Sequence, residues 1–181
     1  MPEPRRYVLT GAPGAGKTIL LDALRHRGHV TVREAATDVI AARQAQGCAQ
    51  PWQEPTFVDA IAELQRSRQT STHDPVQLYD RSPLCTLALA RHLGRPISPA
   101  LANEVDRIVH ERTYQRSVFL IGPLGFIRHT AARQISYADA LAFAQMHHEV
   151  YEVHGHHLVD VPAGPVWERV ALIEKHVSCA V

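Results

Sequence analysis

Eight consecutive residues near the start of the chain have the spacing of a phosphate-binding loop, or P-loop, G-x-x-x-x-G-K-[ST]. They are Gly11, Ala12, Pro13, Gly14, Ala15, Gly16, Lys17 and Thr18. Glycines in this pattern let successive backbone N–H groups point inward around a chain of phosphates. Lys17 is then placed to reach the β- and γ-phosphates, and Thr18 to ligate Mg²⁺. The loop therefore predicts ATP and Mg²⁺ as cofactors.

The residues on either side of the loop have the patterns that such a loop needs. Residues 7–9 are a short apolar run typical of a buried strand, and residues 19–24 are typical of a helix. A strand, a glycine-rich turn and a helix whose N-terminus faces the phosphates form the setting of this motif. Lysine occurs only as Lys17 and Lys175, in a chain otherwise rich in arginine. The presence of lysine at position 17 supports the prediction that its compact ammonium group binds between phosphates.

Apolar, β-branched runs alternate with segments of helical pattern along the whole sequence. The predicted strands are residues 7–9, 29–33, 76–79, 117–121 and 157–161. The predicted helices are residues 19–27, 35–46, 56–69, 83–93, 99–112, 137–153 and 166–176. This alternation predicts an α/β, three-layer fold in which a parallel sheet of about five strands has helices on both faces. The length of 181 residues predicts a single domain over 1–181, with a loop at 50–55.

Two carboxylates and an arginine follow two of the predicted strands. Glu34 follows the second strand, and Asp80 and Arg81 follow the third. Because the carboxyl ends of parallel strands meet at one edge of a sheet, we expect these side chains beside the P-loop. Phosphoryl transfer needs such a set of groups. The sequence therefore predicts Lys17, Glu34, Asp80 and Arg81 as catalytic residues.

Each of these three strand-end residues also has a structural alternative. Asp80 could hold Mg²⁺ opposite Thr18, or it could cap the helix that follows. Glu34 could accept a proton from a substrate hydroxyl or orient it, or it could be a first-turn glutamate that the helix dipole favours. Arg81 could clamp a phosphate or a substrate anion, or it could form an ion pair with Glu34 or Asp80.

Composition disfavours several other classes of protein. A net charge of +1 and a pI near 7.9 predict neither nucleic acid nor an anionic membrane as a partner. No stretch approaches the ~18 apolar residues of a transmembrane helix, and no signal peptide is recognisable. Cys48, Cys85 and Cys179 match neither a disulfide framework nor a metal site, which predicts a cytoplasmic location. The histidines, including those at 147–148 and 154–157, lack zinc-site spacing.

The chain resembles the small P-loop kinases and AAA-type ATPases that include nicotinamide riboside kinase and, more distantly, the deoxynucleoside kinases. The stretches that carry the resemblance are residues 11–18, 34–36, 80–82, 119–124 and 155–170. The resemblance implies a P-loop NTPase fold, with Glu34 as the base and Arg81 in contact with phosphate and with the glutamate. The sequence departs from the related ATPases at Thr37, where they usually have an arginine.

The resemblance also implies a lid and an acceptor pocket. The lid would lie near residues 124–136, where Arg128 and Arg133 would neutralise charge on the transferred phosphoryl group, unless they are solvated surface arginines. The acceptor would bind near residues 52–74. Candidate lining residues there are Trp52, Phe57, Asp59 and Arg68. Helical spacing also predicts Phe57 as a core residue.

Two functions are consistent with these observations. The first is a kinase that moves the γ-phosphate of Mg·ATP to a small hydroxyl-bearing acceptor of unidentified, nucleoside-like or sugar-like structure. The second is an ATPase or nucleotide-dependent switch that acts on a protein partner. The sequence has no N/T-K-x-D motif, which disfavours a GTPase. A hexameric AAA machine is disfavoured because only about one helix follows the fifth strand.

Overall fold

The computed structural model describes residues 3–124 and 137–179, which form five strands, seven α-helices and one 3₁₀ turn. The strands are β1 (Arg5–Thr10), β2 (Val30–Val32), β3 (Val76–Asp80), β4 (Ser117–Ile121) and β5 (His157–Val161). The helices are α1 (Lys17–His26), α2 (Ala35–Ala45), α3 (Phe57–Ser71), α4 (Pro83–His92), α5 (Pro99–His110), α6 (Tyr137–Val153) and α7 (Val166–Cys179). The 3₁₀ turn is Pro51–Gln53.

All five strands are parallel and lie in the order β2-β3-β1-β4-β5. In the register of the central pair, Leu9 of β1 lies opposite Asp80 of β3. On the other side of β3, Val32 lies opposite Tyr79. The carboxyl ends of β1, β2 and β3 therefore meet at one edge of the sheet, where Asp80 ends β3 and where the P-loop and Glu34 follow β1 and β2.

Each face of the sheet is covered by its own hydrophobic core. Alternate residues of β1 point to opposite faces, as strand geometry requires. Tyr7 and Leu9 pack with α1 and α7, whereas Val8 packs with α2 to α6. Because both faces of the central strand are buried, it is apolar without interruption from residue 7 to residue 9. The predicted three-layer α/β fold with five parallel strands is confirmed.

The element boundaries differ from prediction in ways that pairing and capping explain. β1 and β3 are longer than predicted because their ends pair with each other, so Asp80 is the last residue of β3 rather than the first residue after it. The 3₁₀ turn lies inside the segment predicted as a loop, with Pro51 at its first position. α7 continues past the predicted end at residue 176 to Cys179.

Two further predictions concern a lid and membrane-spanning helices. The predicted lid segment lies, from residue 125 onward, outside the described residues, and so do Arg128 and Arg133. Within 3–124 and 137–179, no helix has the length and apolar character needed to cross a membrane.

Candidate active site

The P-loop occupies the turn between β1 and α1, and three of its residues, Gly11, Gly14 and Gly16, have φ values that favour glycine. Gly11 has a φ of 122°, and a Cβ at this residue would lie 2.6 Å from the carbonyl oxygen of Ile121. Gly16 has a φ of 86° and is the N-cap residue of α1. Most L-amino acids are strained at such φ values. The glycines therefore bring the loop against β4 and turn it directly into the helix N-terminus.

Lys17 is buried, with 6% of its surface exposed. Its Nζ atom donates to the carbonyl oxygens of Gly11, at 3.2 Å, and Ala12, at 2.9 Å. Burial, followed by the positive charge of Arg81, lowers the pKa of Lys17 to about 7, although Asp80 and Glu34 oppose the shift. The ammonium group is therefore poorly solvated where it lies, which favours its contact with an anion.

This environment predicts a titration that can be measured at one side chain. Protein labelled with ¹³C at lysine Cε gives two lysine resonances, from Lys17 and from exposed Lys175 as reference. We expect the Lys17 resonance to titrate near pH 7 without nucleotide. Bound phosphates stabilise the ammonium form and raise this pKa, so nucleotide binding takes up a proton above pH 7 and affinity falls as pH rises. A midpoint at the ordinary lysine value of 10.5 in the free protein would contradict the expectation.

Glu34 and Arg81 form an ion pair beside the loop. Arg81 Nε donates to Glu34 Oε1 at 2.7 Å. The Glu34 side chain is 22% exposed and the Arg81 side chain is 11% exposed. The second carboxylate oxygen, Oε2, accepts from Thr37 Oγ1 at 2.7 Å. Burial alone would raise the pKa of Glu34, but the charge of Arg81 and the Thr37 hydrogen bond hold it well below its ordinary value. Thr37, the point of departure from related ATPases, thus contacts the predicted catalytic carboxylate.

Of the alternatives for Arg81, the ion pair with Glu34 is present, and contact with a phosphate remains a prediction. The backbone of Arg81 is itself unusual, because its φ of 73° lies in the left-handed region. A non-glycine residue there typically costs about 1–3 kcal/mol and persists only when its surroundings fix it. Such strain is common at functional sites, and no sequence pattern indicates it here.

Asp80 ends β3 with a buried side chain. The N-cap residue of α4 is Ser82, whose Oγ accepts from the backbone N–H of Leu84 at 3.3 Å. The capping alternative for Asp80 is therefore wrong, because Ser82 fills that role. Asp80 and Thr18 line the same cavity. A carboxylate and a hydroxyl are hard oxygen ligands of the kind that Mg²⁺ takes, with phosphate oxygens and water completing its shell.

No group of three or more His, Cys, Asp or Glu residues suited to a metal ion is found in the described part of the chain. His147 instead packs inside the protein, where its Nε2 lies 3.0 Å from Arg81 Nη1. Burial, and then the charge of Arg81, holds the pKa of His147 well below its ordinary value. His147 is the member of this site that the sequence interpretation did not assign to it, because a buried histidine on a helix carries no distinguishing motif.

One cavity of about 970 Å³ has two parts: one is lined by the P-loop, and the other is an apolar chamber beside it. The predicted site residues that line it are Pro13, Gly14, Gly16, Lys17, Thr18, Glu34, Asp80 and Arg81. The chamber is lined by side chains from the 3₁₀ turn and from α2, α3, α4 and α6. Its tryptophan and phenylalanine residues are Trp52, Phe57 and Phe143.

Two of the four predicted acceptor-pocket residues line this cavity, and two do not. Trp52 and Phe57 are in the lining, and Phe57 is also a buried core residue. Asp59 instead accepts from Ser98 Oγ at 2.5 Å, which ties α3 to the start of α5. Arg68 pairs with Asp38 and donates to the backbone oxygen of Arg33. Asp59 and Arg68 are therefore structural, because their positions on α3 place them on other faces of the helix.

Arg169 is a second residue that pattern alone did not single out. It is buried at the start of α7, and its guanidinium donates to the carbonyl oxygens of Ala15 and Gly122, each at 3.2 Å. It thereby connects the P-loop to the end of β4 and to α7. Arg169 lies in the stretch 155–170 that carries the family resemblance, but no motif spacing in the sequence assigns it a role.

A parallel sheet with a P-loop between its central strand and the following helix defines the class of P-loop NTPases. A family model described as an AAA domain matches residues 6–169, and the chain belongs to this family. A search of curated proteins found no significant match.

Solved structures with the same fold include several kinases. A deoxyadenosine kinase from M. mycoides is 12% identical, with 97% of this chain and 100% of that chain covered and a TM-score of 0.62. A NadR protein in complex with NR is 14% identical, covering 96% of this chain, with a TM-score of 0.68, but this chain spans only 50% of its length. A thymidylate kinase from Ehrlichia chaffeensis is 13% identical, covering 98% and 100%, with a TM-score of 0.59. At these identities the similarity shows the fold.

Proposed function

We propose that the protein is a phosphotransferase that moves the γ-phosphate of ATP to a hydroxyl group of a small, nucleoside-like acceptor. The observation that carries this proposal is the cavity itself. It joins a phosphate-binding loop to an aromatic chamber, and its lining includes both Glu34 and Arg81. A protein that only hydrolyses ATP does not need an apolar chamber of this kind beside the phosphates. Kinases of this fold act on deoxyadenosine and thymidylate according to their names.

The roles in binding follow from charge and position. The backbone N–H groups of the P-loop and the N-terminus of α1 would hold the phosphates, and Lys17 would neutralise charge that develops between them. Thr18 and Asp80 would hold Mg²⁺, which supplies electrostatic stabilisation of the phosphate oxygens. Arg81 would present the guanidinium Nη2 atom to an oxygen of the acceptor or of a phosphate while its Nε stays on Glu34.

Glu34 is better placed to orient a hydroxyl than to remove its proton early. Its lowered pKa, which comes mainly from Arg81 opposing burial, makes it a weak base. Phosphoryl transfer has a loose transition state in which little proton removal is needed before the phosphorus–oxygen bond to the leaving group is largely broken. Each carboxylate oxygen has a lone pair beyond the one used by Arg81 or Thr37. A hydroxyl donating to it would therefore be aligned for attack.

The chamber indicates the chemistry of the acceptor. Trp52, Phe57 and Phe143 provide apolar and aromatic surface suited to a planar ring. Gln65 and Thr86 add a buried polar pair, in which Thr86 Oγ1 donates to Gln65 Oε1 at 2.8 Å. Because this bond occupies the amide oxygen, the amide nitrogen of Gln65 is the group available to donate to a ring nitrogen or carbonyl. A heterocycle with hydrogen-bond acceptors fits these groups.

The charges of the described lining residues bear on whether the acceptor carries a phosphate. Among the described lining residues, lysine and arginine occur only as Lys17 and Arg81. Lys17 belongs to the P-loop and Arg81 is already paired with Glu34. A phosphorylated acceptor would need a further cation. Arg128 or Arg133 of the predicted lid would have to supply that cation, so the panel of acceptors described next compares nucleosides with nucleoside monophosphates.

The proposal is tested by ADP formation from Mg·ATP with a panel of nucleosides, nucleoside monophosphates and sugars. We expect one group of nucleoside-like compounds to increase the rate of ADP formation over the rate without acceptor. The same panel with Lys17→Ala provides the background. If no compound accelerates the reaction and only a protein fraction does, the protein is a nucleotide-dependent switch instead.

Replacing Asp80 by asparagine is expected to raise the Mg²⁺ concentration needed for half-maximal activity at least about tenfold, because a neutral amide binds this hard cation more weakly than a carboxylate. Nucleotide binding measured in EDTA should change little. Ser82 caps α4, so the substitution leaves the helix cap intact. A metal titration that superimposes on that of the wild type would remove the metal role from Asp80.

Besides the roles proposed above, three further predictions from the sequence stay predictions. They are the roles of Arg128 and Arg133 in phosphoryl transfer, the single-domain organisation over 1–181, and the cytoplasmic location. The first is tested by replacing each arginine with alanine and measuring transfer at saturating substrate.

A further inference from the structure

One face of α6 contacts the strained turn that carries Arg81. His147 and Tyr151 lie one helical turn apart on this face and are both fully buried. Tyr151 OH lies 2.6 Å from Ser82 Oγ, and His147 Nε2 lies 3.0 Å from Arg81 Nη1. Two consecutive residues of the β3–α4 turn are thus each hydrogen-bonded to one residue of α6. The proposed catalytic arginine is therefore in contact with a helix remote from it in sequence.

The hydrogen bonds of His147 fix its protonation. A guanidinium can only donate, so the Nε2 atom that faces Arg81 must be the unprotonated, accepting nitrogen. The proton then resides on Nδ1, which donates to the backbone oxygen of Phe143 at 2.7 Å. This bond, one turn back along α6, orients the ring. The neutral Nδ1–H tautomer is thus the form in which both hydrogen bonds are made.

Aromatic packing supports the same arrangement. The ring of Phe143 lies against that of His147, with centroids 4.2 Å apart, and Arg81 Cζ lies 5.9 Å from the Phe143 centroid. The ring of His92 of α4 also packs against Phe143, with its centroid 4.8 Å from that of Phe143. The Arg81 guanidinium is therefore held by three groups. They are the Glu34 carboxylate at Nε, the His147 imidazole at Nη1 and the Phe143 ring, whose centroid lies within 6 Å of Cζ.

We propose that His147 is a positioning residue, which accepts from Arg81 Nη1 and so holds the guanidinium, and with it Glu34, in the orientation needed for phosphoryl transfer. The left-handed backbone of Arg81 explains why such support is needed, because a residue at a φ of 73° relaxes when its side chain is released. The inference rests on the proposed function, since it assigns to His147 an effect on that reaction.

The test compares two substitutions of His147 with one control. His147→Phe keeps a ring against Phe143 but removes the acceptor, whereas His147→Gln keeps a side-chain oxygen that can accept from Arg81. We expect His147→Phe to lower kcat about tenfold to a hundredfold, the effect that hydrogen bonds to charged groups carry, with KM for ATP nearly unchanged. His147→Gln should recover most of kcat. His148→Phe, at the adjacent half-buried histidine whose Nδ1 lies 3.2 Å from Glu152, should behave as the wild type.

A double-mutant cycle shows whether the effect passes through Arg81. Arg81→Lys should lower kcat less in the His147→Phe background than in the wild type. The hydrogen bond between the two residues is already absent in that background, so the lysine substitution cannot remove it again. Additive losses would overturn the inference. So would a His147→Phe protein with wild-type kcat, or equal losses from His147→Phe and His147→Gln.

A second measurement is independent of activity and of the folding of any variant. The long-range ¹H–¹⁵N spectrum of the wild-type protein at pH 7 should show His147 as the neutral Nδ1–H tautomer with an accepting Nε2. The Nε2–H tautomer would overturn the inference even if the kinase proposal holds. If the wild type transfers phosphate to no acceptor, the proposed function fails, and this spectrum alone decides whether His147 holds Arg81.

Discussion

Replacing Lys17 by alanine is expected to reduce phosphoryl transfer by at least about 10²–10³-fold, the loss seen when one preorganised charge-stabilising donor is removed. The protein should still fold. The Nζ atom donates to the backbone oxygens of Gly11 and Ala12 in its own loop, and burial disfavours its charge, as the lowered pKa shows. Single-turnover transfer and thermal unfolding, measured on the same preparation, separate the two effects.

Lys175→Ala is the matched control, because Lys175 is the other lysine of the chain and is exposed on α7. It should leave transfer at the wild-type rate. Lys17→Ala protein that transfers phosphate at the wild-type rate would remove the basis for the whole functional assignment. Loss of activity accompanied by unfolding would instead show that Lys17 supports the loop structurally.

Replacing Glu34 by glutamine is the second substitution with a large expected effect. Basic assistance is worth about 10²–10⁴-fold in general, and the lower end applies here because Glu34 is a weak base and the transition state is loose. We therefore expect transfer to the acceptor to fall on the order of 10²-fold. ATP affinity should barely change, since Glu34 contacts Arg81 and Thr37 rather than the P-loop. Single-turnover transfer is measured beside nucleotide affinity.

The control for Glu34→Gln is a Glu→Gln substitution that removes an ion pair at a residue outside the cavity lining. Glu174 of α7 is suitable, because its side chain is 22% exposed, as is that of Glu34, and it pairs with Arg27. Glu174→Gln should cost less stability than Glu34→Gln, because it leaves exposed Arg27 rather than buried Arg81 without its partner, while transfer stays at the wild-type rate. Equal losses of transfer and of ATP affinity in Glu34→Gln would show that Glu34 holds the site together, and the catalytic assignment would be withdrawn.

The sequence predicted the layers of this fold because each signal was local. Runs such as 117–121 and 157–161 are short, apolar and bounded by turn residues, and the structure has strands with those same bounds. The order of the strands was not predicted, since pairing of β1 with both β3 and β4 depends on contacts between residues distant in the chain. The rule that ligands bind at the carboxyl ends of parallel strands was enough to group Glu34 with Asp80.

Side-chain partners were beyond the reach of the sequence. Asp59 and Arg68 have the charges expected near a substrate, yet each is used to join helices, because which face of α3 meets the cavity is set by tertiary packing. The same limit applied to Arg81: the sequence left both an ion pair and a phosphate contact open, and the structure shows the ion pair with Glu34 at 2.7 Å, while the phosphate contact stays a prediction. His147 was missed because its role depends on a contact across 66 positions of sequence.

The most direct test of the central claim is the fate of the γ-phosphate. With the acceptor that most stimulates ADP formation, ³¹P NMR of a reaction with Mg·ATP distinguishes a phosphomonoester of the acceptor from inorganic phosphate. We predict one phosphomonoester for each ADP formed by the wild type, and no such signal with Lys17→Ala. Inorganic phosphate as the sole product, at the same rate with and without acceptor, would contradict the assignment as a phosphotransferase.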